Sequence, residues 1–466
     1  MSEDLRALEI DLRQRCRACG QDHVFAFWDE LSPPQRERFL KQLGEVDLPL
    51  VTRLASEVIH GAAPAAYQRL EPAPFLRLPG SPHERAAARD AGEALLSAGK
   101  VAAFVVAGGQ GSRLGFEGPK GTFPVGPVSN RTLFQVHAEK VLALSRRHRS
   151  RIPLLILTSA VNHDVTIAFF EQHHHFGLDA RDVHYFSQEM LPAVDQRGRM
   201  ILAEKDSLFL SPNGHGGALL ALRRSGVLDE LTARGIDHIF YFQVDNPLVN
   251  VLDPVFLGHH ARAAAEMSSK VVLKRDAHEK VGVLAFIDGK LGVIEYSDLR
   301  DGDQQARLPN GELEFAAGSI AIHVLDVAFV ARLTAGGDLK LPFHHALKKI
   351  SCIDQAGQRC HPAVPNGVKF ETFVFDALRF ARHSITMEVA REEEFSPVKN
   401  ADGADSPLTA RRDMSRQWAG WLRAAGFTVA DDAAIEVSPL FAVDREELLT
   451  KLSGRGTIVH RRLWIE

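Results

Sequence analysis

Cysteine is scarce, with four in 466 residues. So few thiols cannot staple a chain of this length into a disulfide framework. Cys16 and Cys19 have CxxC spacing, and Cys352 and Cys360 form a looser pair. A structural zinc needs four ligands at finger-like spacings, so these read as incidental thiols. Long apolar runs are also missing. Val101–Gly109 and Ile152–Leu157 fall far short of the roughly 20 residues that span a bilayer. Met1–Ile10 carries acids early and has no apolar stretch, which argues against a secretory leader. Nor is there an excess of one charge: 55 Lys and Arg face 59 Asp and Glu, for a net −4 and a pI near 6.6. General nucleic-acid binding needs a strongly basic surface and is disfavoured, while a local basic pocket for a phosphorylated small molecule is not. With 45% hydrophobic and 24% charged residues, the expectation is a globular, cytoplasmic protein without nucleic-acid or membrane partners. No internal repeat or low-complexity tract is present.

What is there is an ordered change of pattern. Residues 1–60 place apolar side chains at helical spacing, and Ser32-Pro33-Pro34 reads as a helix start. Gly61–Pro82 shifts to alanine and proline, the composition of an extended connector, and the helical N-terminal region should close near residue 97. Short apolar runs follow at Val101–Val106, Leu154–Leu157, Val183–Phe186, Ile239–Val244 and Lys270–Leu273. Amphipathic stretches such as His163–Phe176, Ala218–Arg224 and Pro254–Glu266 lie between them. Alternating strands and helices predict an α/β fold with a doubly wound, mostly parallel sheet. Val281–Ile287 and Gly292–Tyr296, joined through Asp288-Gly289, predict an inserted antiparallel hairpin. His173-His174-His175 reads as a solvated helix end, because adjacent side chains diverge around a helix.

The strongest local signal is Ala107-Gly108-Gly109-Gln110-Gly111-Ser112-Arg113-Leu114-Gly115, continuing to Pro119-Lys120-Gly121 directly after the first major strand. Glycines let backbone N–H groups approach phosphate oxygens, and Arg113 and Lys120 add fixed positive charge. Two common phosphate loops fail here. The dinucleotide fingerprint would need glycine where Leu114 stands, which makes a nicotinamide oxidoreductase remote. The Walker loop fails because Lys120 lies between Pro119 and Gly121.

The loop resembles the signature of nucleotidyltransferases that join a nucleoside triphosphate to a sugar 1-phosphate. Further segments follow in order: Thr132-Leu133-Phe134-Gln135, Gln188-Glu189-Met190-Leu191-Pro192-Ala193, Pro212-Asn213-Gly214-His215-Gly216-Gly217, Val244-Asp245-Asn246, Val281-Gly282-Val283, Glu295-Tyr296-Ser297, Lys369–Asp376, Glu394–Asn400 and Glu436–Leu440. Together they are similar to the eukaryotic-type UDP-N-acetylglucosamine pyrophosphorylases and their UDP-sugar pyrophosphorylase relatives, over most of residues 100–440. The resemblance implies a Rossmann-like catalytic domain over residues 98–385, preceded by a supporting helical region (1–97). A small C-terminal domain (386–466) would carry the Lys399 motif.

It also implies roles. UTP and a sugar 1-phosphate are the expected substrates, with Mg2+ as cofactor held by Asp245. Gly108, Gly109 and Gly111 would hold nucleotide phosphates, while Arg113, Lys120 and Lys399 would be catalytic. Gln188 would read the uracil, with Gly214 and His215 on the base or ribose side. Gly282, Glu295, Tyr296, Ser319, Lys369, Phe373 and Phe375 would line the sugar pocket. Two departures concern the sugar. The N-acetylglucosamine enzymes typically have asparagine where His215 stands, and two asparagines where Ser319 and Ile322 stand. UDP-N-acetylglucosamine is the implied product, with a UDP-glucose or broad-specificity enzyme as the alternative. A non-catalytic nucleotide-sugar-binding protein is the remote one.

Overall fold

The N-terminal periodicity becomes three helices, α1 (Glu3–Ala18), α2 (Pro33–Gly44) and α3 (Leu48–Ile59). Ser32 starts α2 as the sequence predicts: two prolines fill the first turn, and the Ser32 backbone N–H donates to Gln35 Oε1 at 3.0 Å. The structure, a computed structural model, describes residues 3–59, 67–452, 458–459 and 461–466. Part of the predicted connector, residues 61–66, lies outside the described residues.

Within the described residues, 3–59, 189–217 and 341–374 gather into one compact unit. Its core joins Leu12, Phe39, Leu40, Leu43 and Leu54 to Val194, Met200 and Phe370. Gln21 stitches the same segments together. Its side-chain oxygen accepts the Met200 N–H and its amide donates to Gly198 O, both at 2.8 Å.

A second unit comprises residues 67–188, 218–340 and the described part of 375–466. It holds a ten-stranded sheet. In chain order the strands are β1 (Leu70–Pro72), β2 (Val101–Val106), β3 (Leu154–Thr158), β4 (Val183–Ser187), β5 (His238–Gln243), β6 (Met267–Leu273), β7 (Val283–Ile287), β8 (Lys290–Ile294), β9 (Ala317–Asp326) and β10 (Ser384–Glu388). Strands β5, β2, β3 and β4 pair in parallel. Their near-continuous apolar runs suit strands covered on both faces. Phe104, Leu155, Phe240 and Phe242 are fully buried. The ten-residue β9 then extends the sheet antiparallel, pairing with β5, β6 and β7. The hairpin forms as predicted, with Val283 opposite Ile294 and Asp288 at φ 50° in its turn. The remaining connector residues run as a strap, β1 pairing with β7.

Two helices end earlier than their apolar patterns suggest. The stretch from His163 is helical only to Gln172, because His174, His175 and Phe176 have φ near +50°. The stretch from Pro254 stops at Arg262, before Ala264 at φ 46°. Among the described residues, no helix is long and apolar enough to cross a membrane.

Candidate functional site

In the sheet-bearing unit, β2 runs straight into the glycine loop at the carboxyl end of the parallel strands, where open α/β sheets place their ligands. The loop folds back on itself. Gly111 N–H donates to Gly118 O at 2.9 Å, and Lys120 N–H donates to Gly109 O at 3.0 Å. A side chain at Gly111 would put its Cβ 2.7 Å from the Phe116 ring, whereas Gly109 faces open space. Asn162 buttresses this turn from below, its amide donating to Ala107 O at 3.0 Å and Gly109 O at 3.4 Å. Asn162 itself is fixed by the Ser159 N–H, 2.8 Å from its Oδ1.

Lys120 emerges from the loop and meets Asp245, which follows β5. Its Nζ lies 3.1 Å from Asp245 Oδ2, and the two side chains are 17% and 18% exposed. A cation and a carboxylate thus share a partly buried position beside the glycine loop. Arg113 stands exposed in the loop's short 3-10 turn. Gln188 is buried at the end of β4, and a Cβ on Gly108 would lie 3.1 Å from its Nε2. The glycine backbone and this amide are therefore neighbours.

The Asp245 turn is held on several sides. Val398 N–H donates to Asp245 O at 2.8 Å. Asn246 donates to Glu394 O at 2.7 Å and accepts the Ser396 N–H at 3.1 Å. Lys140 Nζ donates to Pro247 O and Val249 O, each at 2.7 Å. The motif around Lys399 is thereby docked on Asp245, yet the Lys399 side chain is exposed and has a different neighbour. Its ammonium lies 3.9 Å from Asp405 and 5.5 Å from the Phe395 ring.

Three of the expected sugar residues also meet. Ser319 N–H donates to Gly282 O at 2.8 Å, and a Cβ on Gly282 would lie 3.3 Å from Glu295 Oε1. Glu295 and Tyr296 sit just beyond the hairpin, whose second strand ends at Ile294. Ile322 packs into the main core with Ile320 and Val324, so it belongs to the packing rather than to a polar pocket.

The other expected residues lie in the first unit, apart from Phe375. Gly214 has φ 80°, and a Cβ there would come within 2.3 Å of Thr372 O. Thr372 N–H donates to Asn213 O at 2.7 Å, and Gly216 N–H to Thr372 O at 2.8 Å. His215 Nδ1 accepts the Val374 N–H at 3.2 Å, and the Phe373 ring lies near both His215 and His344. Lys369 lies on the strand Gly367–Glu371, its Nζ 4.9 Å from the Phe209 ring. Phe373 and Phe375 stand two apart, the spacing of one face of a strand, but the strand ends at Glu371 and a 3-10 turn runs from Val374 to Phe380. Phe373 and Phe375 therefore do not share a strand face, and Phe375 is buried in the second unit.

Two histidines in these segments carry a stability signature. His137 is fully buried with Nε2 2.9 Å from Val244 O; burial, reinforced by Lys140, pushes its imidazole down to about 3. Burial, with His344 nearby, takes His215 down to about 4. Unfolding returns both to roughly 6.5. Between those values the unfolded chain binds more protons, so stability rises with pH in that window. Denaturation midpoints should therefore decline as pH is lowered from about 6.5 toward 4, and His137→Gln should flatten part of the slope. A flat profile in the native protein contradicts the neutral buried histidines.

The loop, Asp245 and Gln188 were legible in the sequence. Asn162, His137 and Lys140 carry no such signal: Asn162 stands before a helix, where a capping role would be expected, but its side chain makes no capping bond and holds the loop carbonyls instead. Comparison with known proteins agrees with this geometry. A family described as UTP–glucose-1-phosphate uridylyltransferase matches residues 80–418. A Xenopus tropicalis UDP-N-acetylhexosamine pyrophosphorylase-like protein 1 is 38% identical, covering 93% of this chain and 88% of the relative. A Saccharomyces cerevisiae UDP-N-acetylglucosamine pyrophosphorylase is 32% identical, covering 94% and 96%. Among solved structures, a putative UDP-N-acetylglucosamine pyrophosphorylase from Entamoeba histolytica superposes with TM-score 0.77 at 31% identity, over 85% of this chain and 100% of that one. The Trypanosoma brucei uridine diphosphate N-acetylglucosamine pyrophosphorylase, solved with an inhibitor, gives 0.80 at 26% identity over 99% of each chain. With its glycine loop, its Lys120–Asp245 pair and these relatives, the chain belongs to the UTP–glucose-1-phosphate uridylyltransferase family.

Proposed function

We propose that this protein transfers the uridylyl group of UTP to N-acetylglucosamine 1-phosphate, forming UDP-N-acetylglucosamine and pyrophosphate. The observation that carries this reading is the Lys120–Asp245 pair beside the folded glycine loop. A phosphate oxygen of the sugar 1-phosphate attacks the α-phosphorus of UTP. The bond from that phosphorus to the bridging oxygen breaks, and its electron pair leaves with pyrophosphate. Both reactants are anions, so the protein's task is positioning and charge neutralisation rather than covalent catalysis.

Amides of Gly108 and Gly109 hold the nucleotide phosphates. The Gly111 N–H, expected from the sequence to join them, is spent on Gly118 O and shapes the loop instead. Lys120 grips the α-phosphate, and Arg113 stabilises the departing charge. Lys399 reaches the same phosphates from the docked motif. For this its ammonium leaves Asp405, to which it is only loosely paired at 3.9 Å. The Gln188 amide reads the imide edge of uracil by paired hydrogen bonds. Within the second unit, Gly282, Glu295, Tyr296 and Ser319 form the sugar side. The Asp245 carboxylate fits a magnesium ion, which commonly takes one or two carboxylates and completes its shell with water and phosphate. Bound there, magnesium would neutralise phosphate charge. We assign the helical N-terminal region (1–97) a supporting role, the catalytic chemistry to 98–385, and the Lys399 motif to a small C-terminal part (386–466). The reaction's substrates suit a cytoplasmic enzyme.

Acceptor choice is supported by relatives named for UDP-N-acetylglucosamine. A UDP-glucose or broad-specificity enzyme is the second reading, favoured by serine at 319 and histidine at 215. The deciding experiment is magnesium-dependent pyrophosphate release from UTP with N-acetylglucosamine, N-acetylgalactosamine, glucose and galactose 1-phosphates in competition. Preference for N-acetyl sugars is expected. Preference for plain hexoses makes the second reading correct, and UTP binding without turnover on any of them moves the protein to a non-catalytic binder.

A further inference from the structure

Three metal-ligand side chains converge at the opposite end of β5 from Asp245. His238 begins β5, Asp326 ends β9, and His260 lies on the helix Pro254–Arg262. Register explains the first two, since His238 and Asp326 are directly opposite across the antiparallel β5–β9 ladder. His238 Nδ1 lies 2.8 Å from Asp326 Oδ1, and His260 Nε2 lies 3.4 Å from the same oxygen. One donor atom from each residue lies within 4.8 Å of the others, and the imidazole rings are nearly perpendicular at 89°.

Ordinary hydrogen bonding accounts poorly for this group. His238 Nδ1 is buried and makes no well-formed hydrogen bond, although a carboxylate oxygen is at contact distance. The His260 bond to the same oxygen is long, at 3.4 Å. One donor atom from each of the three residues thus occupies the same small volume. His260 has the outer partner that orients a ligating imidazole: its Nδ1 is 2.8 Å from Ser268 Oγ, and both residues are fully buried. When Nδ1–H donates to that hydroxyl, the Nε2 lone pair faces the cluster.

We propose that His238, His260 and Asp326 bind a single zinc-class transition-metal ion. Two imidazole nitrogens and one carboxylate oxygen form a borderline donor set that suits zinc, cobalt or nickel, whereas magnesium prefers an all-oxygen shell. Asp326 is 31% exposed, which leaves a solvent side for a water as fourth ligand and for entry of the ion. The six residues of β5 separate this site from Asp245 by about 20 Å, so the ion is not the one that serves phosphate transfer. It would clamp β5, β9 and the helix Pro254–Arg262 together.

The test uses purified full-length protein, titrated with Zn2+ by equilibrium dialysis and with Co2+ by visible absorption. The expected result is one equivalent of metal and a four-coordinate nitrogen/oxygen cobalt spectrum. Asp326→Asn and, separately, His238→Gln should weaken binding at least about tenfold. Asp326 is half-buried, so its variant should fold, which circular dichroism checks. Absence of stoichiometric binding overturns the proposal, as does unchanged affinity in a folded variant. A thiolate charge-transfer band in the native protein also overturns it, because it would move the metal to cysteine.

Discussion

Lys120→Ala should lower kcat for uridylyl transfer by about 10²–10³-fold, the cost of removing one preorganised group from a site where charge develops. The variant should stay folded. Lys120 is at the rim of the second unit's loop, and the backbone bonds that shape the loop, Gly111 to Gly118 and Lys120 N–H to Gly109 O, do not use its side chain. What the truncation removes is the cation 3.1 Å from Asp245 Oδ2. That pair holds both side chains in place; in the proposed reaction the ammonium turns its donors to phosphate, which makes the two residues one functional unit. The double variant Lys120→Ala/Asp245→Ala should lose far less than the product of the single losses, since groups that act together are not additive. Rates with saturating UTP and sugar 1-phosphate, beside a thermal melt, make the measurement. Full activity in a folded Lys120→Ala protein would remove Lys120 from the phosphate site. Multiplicative losses would separate it from Asp245.

Much of this was readable because the information is local. Val101–Val106 is β-branched, apolar and closed by glycines, and it became β2 with the loop immediately after it. Asp245 was placed at a strand's carboxyl edge by the apolar run before it, and there it lies. The Asp288-Gly289 turn fixed the hairpin, since those residues tolerate positive φ. What escaped the sequence depends on partners far along the chain. The packing of α1–α3 with residues 189–217 and 341–374 has no local pattern to announce it. His215 stood out as a change of residue type, but its bond to the Val374 N–H joins positions 159 residues apart. Glu295 and Tyr296 were read as hairpin residues because strand ends carry little signal. Lys270 is the sharpest case. It opened an apolar run and was read only as the start of a strand, yet it is fully buried in the middle of β6.

Lys270→Met should be the most destabilising substitution in the second unit outside its apolar core. Lys270 Nζ lies 2.5 Å from Glu394 Oε1 and 2.8 Å from Asp253 Oδ2, and the lysine itself has no exposed surface. Burial opposes its charge, but the two carboxylates outweigh that and raise its affinity for the proton. Removing the cation strands two buried carboxylates, which costs about 3–5 kcal/mol. The loss should reach the active site as well. Glu394 Oε2 accepts the Asn250 N–H at 3.1 Å and its carbonyl accepts the Asn246 amide at 2.7 Å, so the Asp245 turn rests on it. Acid should partly rescue the variant. Burial already raises the Glu394 carboxyl above its ordinary value, and without Lys270 it rises further. A carboxyl whose folded pKa exceeds its unfolded one makes the native state the better proton binder, so stability increases as pH falls through the folded value. Lys270→Met should thus have its largest deficit near pH 7 and a smaller one near pH 5, and adding Glu394→Gln should recover part of the neutral-pH loss. Urea midpoints for the native protein and both variants at the two pH values decide it. An unchanged midpoint at pH 7, or a deficit that grows on acidification, would mean that water already reaches the trio and that the Asp245 turn is held by its backbone bonds alone.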